Sequence, residues 1–271
     1  MIIVQEFFKV YKSSSPDAPT LLFVAGWESA LSMMKDLIEK FKSIAHLIVC
    51  KSFENLQVDS SESVLSNRYL HEYATDRLES FIKNNHIEKL DSIIVHSSLG
   101  CLTGLEIIKR KLVSVRSFVV MNGTNHYLEN DIQRIFWNQI PLNLRQNASQ
   151  WIYDKKKIEE VIARILPLLS KNPVIIDMLK SLPENEIIPR IIRNIERIQK
   201  IKDATFLTIP VIIIGGELDE VIPRGFLREL NKEIKGSELI FIPAANFDGP
   251  KLLGVSYYIV IRNFFQKHKI M

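Results

Sequence analysis

The chain has 271 residues, enough for one large α/β domain or a core carrying an inserted subdomain. With 46% hydrophobic and 24% charged residues and few Gly or Pro, its composition is globular and excludes extensive disorder. The formal net charge is only +4, with Lys and Arg mixed among the acids, so nucleic acid is not an expected partner. Two cysteines, Cys50 and Cys101, show neither CxxC nor paired spacing. That pattern argues against a disulfide framework or zinc site and fits a reducing cytoplasm. The N-terminal MIIVQEFFKVYK lacks the leading basic region and long apolar run of a signal peptide. No apolar stretch reaches the roughly 20 residues of a membrane span, so a cytoplasmic protein without membrane contact is expected.

Short apolar runs predict strands at Ile2–Phe8, Thr20–Ala25, Ala45–Cys50, Ser92–His96, Ser117–Met121, Val211–Gly215 and Glu238–Ile242. Most are continuous in Val, Ile, Leu and Phe rather than alternating, as in strands buried on both faces of a parallel sheet. Helical patterns fall between them at Ser29–Lys42, Leu65–Asn84, Gly100–Lys111, Arg224–Lys235 and Gly254–Lys267. This alternation predicts βαβ units and a mostly parallel, doubly wound α/β sheet. From about Asn125 to Thr205 no strand is evident. Helical patterns punctuated by Pro141, Pro167, Pro173, Pro183 and Pro189 predict a helical cap there. The expected organisation is a core of residues 1–124 and 206–271 with an insert at 125–205. The insert carries thirteen Lys/Arg against ten Asp/Glu, consistent with a solvated helical face.

Three segments carry chemistry. In Ser92-Ile-Ile-Val-His-Ser-Ser-Leu-Gly-Cys a buried strand runs straight into a helix. Gly100 lies two residues after Ser98, as a strained strand-to-helix turn requires, which makes Ser98 the candidate nucleophile. His96 departs from the usual glycine of such a turn. Reading Ser97 instead would put Val95 and Leu99 where small residues are needed. Upstream, Leu21-Leu-Phe-Val-Ala-Gly-Trp27 is a strand followed by a glycine turn. Downstream, Val211-Ile-Ile-Ile-Gly-Gly-Glu-Leu-Asp219 is a buried strand ending in an acidic loop.

Together these segments resemble the α/β-hydrolase superfamily over nearly the whole chain. Ala25-Gly26-Trp27, Ser98-Leu99-Gly100, Glu217-Leu-Asp-Glu-Val-Ile-Pro-Arg and Ile242-Pro-Ala-Ala-Asn-Phe are similar to cap-bearing carboxylesterases of the pimeloyl-carrier-protein methyl ester esterase type. The resemblance implies Ser98 as nucleophile, Asp219 as triad acid, and the backbone amides of Trp27 and Leu99 as the oxyanion hole. It also implies a histidine after the last strand, where this chain has Asn246. An amide cannot take up a proton near neutral pH, so Asn246 can neither deprotonate Ser98 nor protonate a leaving group. Loss of a triad base costs on the order of 10⁶ in turnover, leaving roughly 10³–10⁴ over water.

Of the other histidines, His126 is the candidate substitute base, because it follows a strand at the carboxyl edge of the sheet. His96 is expected to fill the strand–helix packing; His46, His86 and His268 read as surface residues, and His71 sits in a helix. Two readings stay open. One is an esterase- or thioesterase-like enzyme acting on an apolar acyl or ester-like substrate, with an acyl carrier protein as a candidate partner. The other is a hydrolysis-deficient relative acting as a cyclase- or lyase-type catalyst or as a binding protein. Trp137, Trp151 and Phe136 could line an apolar cavity or simply pack the cap. No metal-ligand cluster, phosphate loop or dinucleotide fingerprint appears, so no cofactor is expected.

Overall fold

The computed structural model describes residues 8–25, 34–50, 70–125, 204–219, 222, 224–246 and 248–271, without the side chains of Leu70, Tyr73 and Ser98. The chain divides into two compact units, residues 1–126 with 200–271, and residues 127–199. The expected cap falls almost wholly outside the described residues, as do Trp137, Trp151 and Phe136.

In chain order the elements are β1 (Phe8–Tyr11), β2 (Thr20–Val24), α1 (Lys35–Lys42), β3 (His46–Cys50), α2 (Leu70–Asn84), β4 (Lys89–Leu90), β5 (Ser92–His96), α3 (Ser97–Lys109), β6 (Ser114–Val115), β7 (Phe118–Met121), β8 (Val211–Gly216), α4 (Arg224–Glu233), β9 (Glu238–Ile242), α5 (Gly249–Leu252) and α6 (Gly254–Lys267). Seven strands form one sheet in the order β1-β3-β2-β5-β7-β8-β9. Only β1 runs antiparallel to its neighbour; the other pairs are parallel. β4 and β6 form a separate two-stranded pair.

The apolar runs explain this sheet. Every residue of β5, β7 and β8 is buried, so these strands have helices on both faces. The edge strands β1 and β9 are half open to solvent. One face packs Leu21, Phe23, Ile94, Val119 and Met121 against Phe41 of α1 and Tyr257, Ile261 and Phe265 of α6. Rings of Phe41 and Phe265 lie 6.0 Å apart in that layer. The alternate residues face α3. A Cβ on Gly104 would fall within 3 Å of Val95 and Phe118, so glycine lets α3 lie close on the sheet. α2 packs on α3, where Arg110 bridges Glu106 and Asp76 at 2.6 and 2.7 Å.

At the amino edge of the sheet, Asp91 accepts the Thr20 N–H at 2.9 Å and pairs with Arg116 at 2.9 Å. Arg116 also donates to the Lys269 carbonyl, tying the C-terminal segment to this edge.

Candidate active site

β3 lies on one side of β2 and β5 on the other, so the chain reverses its winding between β2 and β5. In open α/β sheets that reversal splays the loops at the carboxyl ends of the two strands and leaves a crevice for ligand. The loop after β2, with Trp27, lies outside the described residues. So does His126.

The β5–α3 junction lies at this carboxyl edge, beside the winding reversal. No loop separates the two elements: His96 is extended, with φ −126° and ψ 143°, and α3 begins at the next residue. The left-handed turn falls on Ser97, at φ 62°. A non-glycine residue held there costs about 1–3 kcal/mol and persists only where its surroundings enforce it. Ser97 is 1% exposed, and its Oγ has no hydrogen-bond partner among the described residues. The expected start of this helix at Gly100 is therefore three residues late, and the elbow conformation sits one residue before Ser98. Ser98 has a helical backbone; its side chain lies outside the described residues. Leu99 is buried in the same first turn, and its carbonyl accepts from Thr103 Oγ1. His96 is fully buried, as its core-filling reading expects.

Asp219 and Asn246 come from adjacent loops. β8 ends at Gly216, where an added Cβ would collide with the Ala245 carbonyl, so the β8 and β9 loops touch backbone to backbone. Leu218 N–H donates to Ala245 O at 2.8 Å. Asp219, 6% exposed, accepts the Ile222 N–H on Oδ1 at 2.8 Å. Asn246 is exposed. Its Oδ1 accepts the Asp248 N–H at 3.0 Å, an Asx turn that closes its own loop.

The side chain that meets Asp219 is Asn122, at the end of β7. Its Nδ2 donates to Asp219 Oδ2 at 2.6 Å and to the Asn246 carbonyl at 3.1 Å. Its Oδ1 accepts from the Tyr257 hydroxyl at 2.8 Å. Burial, reinforced by the neighbouring Asp219 charge, holds the Tyr257 phenol well above its usual pKa. The next residue, Gly123, abuts the elbow: a Cβ there would sit 2.7 Å from the Ser97 carbonyl oxygen. Residues 122 and 123 thus touch the acid loop and the elbow in succession. Sequence reasoning passed over Asn122; its one signal is a polar residue directly at the end of a buried strand.

The remaining described histidines lie away from this edge. His46 accepts the Ser13 N–H on Nδ1 at 3.1 Å, at the start of β3. His268 meets Glu238 at 2.9 Å, at the start of β9. His71 is buried in α2, and burial lowers its pKa to about 4. His86 is exposed beyond α2. Among the described residues no three His, Cys, Asp or Glu side chains cluster as a metal site, and no helix is long and apolar enough to cross a membrane.

Solved structures match this architecture over nearly the full chain. An α/β hydrolase enzyme from a metagenome of sediments from the lagoon of Mar Chica, Morocco, superposes with a TM-score of 0.62 at 12% identity, covering 97% of this chain and 95% of that one. The chain has the α/β-hydrolase fold. The enol-lactonase from Burkholderia xenovorans LB400 gives a TM-score of 0.66 at 13% identity, covering 96% of this chain and 95% of that one. A thermophilic esterase from Thermogutta terrifontis gives 0.64 at 16%, covering 96% and 93%. At these identities the likeness speaks to the α/β-hydrolase fold alone. No family model matches the chain, and no curated protein matches it in sequence.

Proposed function

We propose that this α/β-hydrolase-fold chain is a thioesterase- or esterase-like acyl-transfer catalyst whose reacting serine is the residue at the elbow. The observation that carries the reading is Ser97: a left-handed, buried serine whose hydroxyl has no partner among the described residues, at the carboxyl edge of the sheet beside the winding reversal. Strain of this kind is kept where it serves a site. On this reading the nucleophile moves from Ser98 to Ser97, and the oxyanion donor that follows it moves from Leu99 to the Ser98 N–H, with Trp27 retained as the second donor.

The chemistry favours activated acyl groups. Ser97 Oγ attacks the acyl carbon and gives up its proton to water, the carbonyl oxygen takes the negative charge, and collapse forms an acyl-serine while expelling the leaving group. Water then adds to the acyl-serine, the acid departs and Ser97 Oγ takes back a proton from water; this step is the same for every leaving group, so the leaving group governs acylation alone. With Asn246 at the histidine position, an alkoxide must leave without a general acid, whereas a thiolate leaves unprotonated because its conjugate acid has a pKa of about 8.5. Thioesters, such as those of an acyl carrier protein, are therefore better suited than methyl or other alkyl esters.

Labelling with a fluorophosphonate, followed by peptide mapping, tests the reading. Attachment at Ser97, abolished by Ser97→Ala and kept in Ser98→Ala, is the expected result. Attachment at Ser98 returns the nucleophile to the position its spacing from Gly100 favours. No attachment at either serine, with no turnover of an acyl thioester, leaves the second reading: a hydrolysis-deficient binding protein or non-hydrolytic catalyst. That second reading is favoured by the turning of Asn246 into its own loop.

A further inference from the structure

We infer that Asn122 is a positioning residue that binds the Asp219 carboxylate and the backbone of residue 246 into one scaffold, so that position 246 is held out of any acid–base pair with Asp219. The inference takes from the proposed function only the location of the site, and its tests read Asp219 and residue 246 without acyl chemistry.

The amide's orientation follows from its partners. An ionised Asp219 only accepts, so the group facing it at 2.6 Å must be the Asn122 NH₂. The Asn122 oxygen then faces Tyr257, whose hydroxyl must be the donor at 2.8 Å. Both amide protons are used, one on Asp219 and one on the Asn246 carbonyl at 3.1 Å. Tyr257 reaches this point because residue 249 is glycine; a Cβ there would fall 2.6 Å from the hydroxyl. Asn122 is itself fully buried at φ 45°, with its N–H on the Ile214 carbonyl at 2.8 Å. One side chain therefore joins β7, the β8 loop, the β9 loop and α6. Among the described residues, the groups that face Asp219 include the Asn122 amide from the end of β7, the Ile222 N–H from its own loop and the neutral Tyr257 phenol from α6.

The consequence concerns position 246. Its carbonyl is anchored by Asn122, and its side chain is exposed and directed to the Asp248 N–H. An imidazole placed there by Asn246→His inherits that direction while Asn122 keeps Asp219. Freeing Asp219 requires removal of the Asn122 amide, and Asn122→Gly does this at a φ that glycine adopts without penalty.

The experiment is an NMR pH titration of histidine-labelled protein. In Asn246→His, the introduced imidazole is expected to titrate in the ordinary range, near 6.5. In Asn246→His/Asn122→Gly it is expected at least about one pH unit higher, because an opposite charge within reach favours the protonated form. A raised value already in the single variant, or no rise in the double variant, overturns the inference. Should the double variant not fold, the unsubstituted chain gives a second reading. The two Asn122 side-chain amide protons are expected to be separately resolved and to exchange at least about tenfold more slowly than those of the exposed Asn246. Equal exchange rates overturn the inference. Failure of the serine labelling leaves both measurements interpretable.

Discussion

Gly123→Ala probes whether the elbow is held in place from the next strand. The added Cβ would lie 2.7 Å from the Ser97 carbonyl oxygen and 3.2 Å from both its carbon and Val120 Cγ1. The nearest obstacle is backbone, so no rotamer change relieves it, and the peptide after Ser97 must move by several tenths of an ångström. Overpacking of this kind costs about 1–3 kcal/mol, which at roughly 3 °C per kcal/mol lowers the Tm by about 3–9 °C. The same peptide supplies the Ser98 N–H, the proposed oxyanion donor, and small misplacements of such groups cost up to about 10²-fold in rate. Differential scanning calorimetry and the rate of fluorophosphonate labelling are the two assays. The expected pattern is a lowered Tm with labelling slowed by at least tenfold in the folded protein. An unchanged Tm, or a lowered Tm with unaltered labelling of the folded fraction, would refute the claim that Gly123 props the elbow.

Three further outcomes follow from single contacts. Tyr257→Phe removes the hydroxyl that donates to Asn122 Oδ1, and stranding that buried acceptor should cost about 1–3 kcal/mol in urea denaturation. His71 is held neutral by burial with its pKa lowered to about 4, so its contribution is complete above about 6.5 and declines as the pH falls from there toward 4. Full protonation costs about 3 kcal/mol, so His71→Gln should lose markedly less stability than the parent between pH 7 and 4; parallel acid limbs would contradict this. Burial raises the Asp91 pKa, but the Thr20 N–H, Arg116 and Lys89 outweigh it and hold the carboxyl below its usual range. The resulting stability is present above about pH 4 and lost as the pH falls further, so the deficit of about 1 kcal/mol in Arg116→Ala should shrink from pH 7 toward pH 3.

Much of the sheet could be read from the sequence because burial on both faces leaves no other pattern. β2, β3, β5, β7 and β8 lie within a residue of their expected bounds, since strands so deeply buried read as nearly continuous apolar runs. The fold class followed from the alternation of these strands with helices, whereas Asp219 and Asn246 were singled out by what the resemblance implies. The elbow residue was not legible in the same way. Spacing to Gly100 favours Ser98, but α3 buries Leu99 in its first turn and so starts at Ser97, which puts the left-handed φ there. Side-chain direction was not legible either. The link between Asn122 and Asp219 spans 97 positions and exists only because β7 and β8 are neighbours in the sheet.

That link also alters what Asp219 is for. In a working Ser-His-Asp site, changing the acid to its amide leaves the geometry intact and lowers kcat by about 10⁴. Here the opposite partition is expected of Asp219→Asn. Asp219 accepts on both oxygens, from Ile222 N–H at 2.8 Å and from Asn122 Nδ2 at 2.6 Å. An asparagine has one oxygen, so either orientation sets its NH₂ against one of these donors and strands it. Losing a charged hydrogen bond and leaving a buried donor unpaired should cost about 1–3 kcal/mol, a drop of roughly 3–9 °C in Tm. Labelling at the elbow should then track the folded fraction rather than fall by orders of magnitude. In this chain the Asp219 carboxylate and the Asn122 amide link the ends of β7 and β8 to the β9 loop. A variant with the parent Tm but labelling reduced about 10³-fold or more would show instead that Asp219 still acts through a base, and would turn attention to His126.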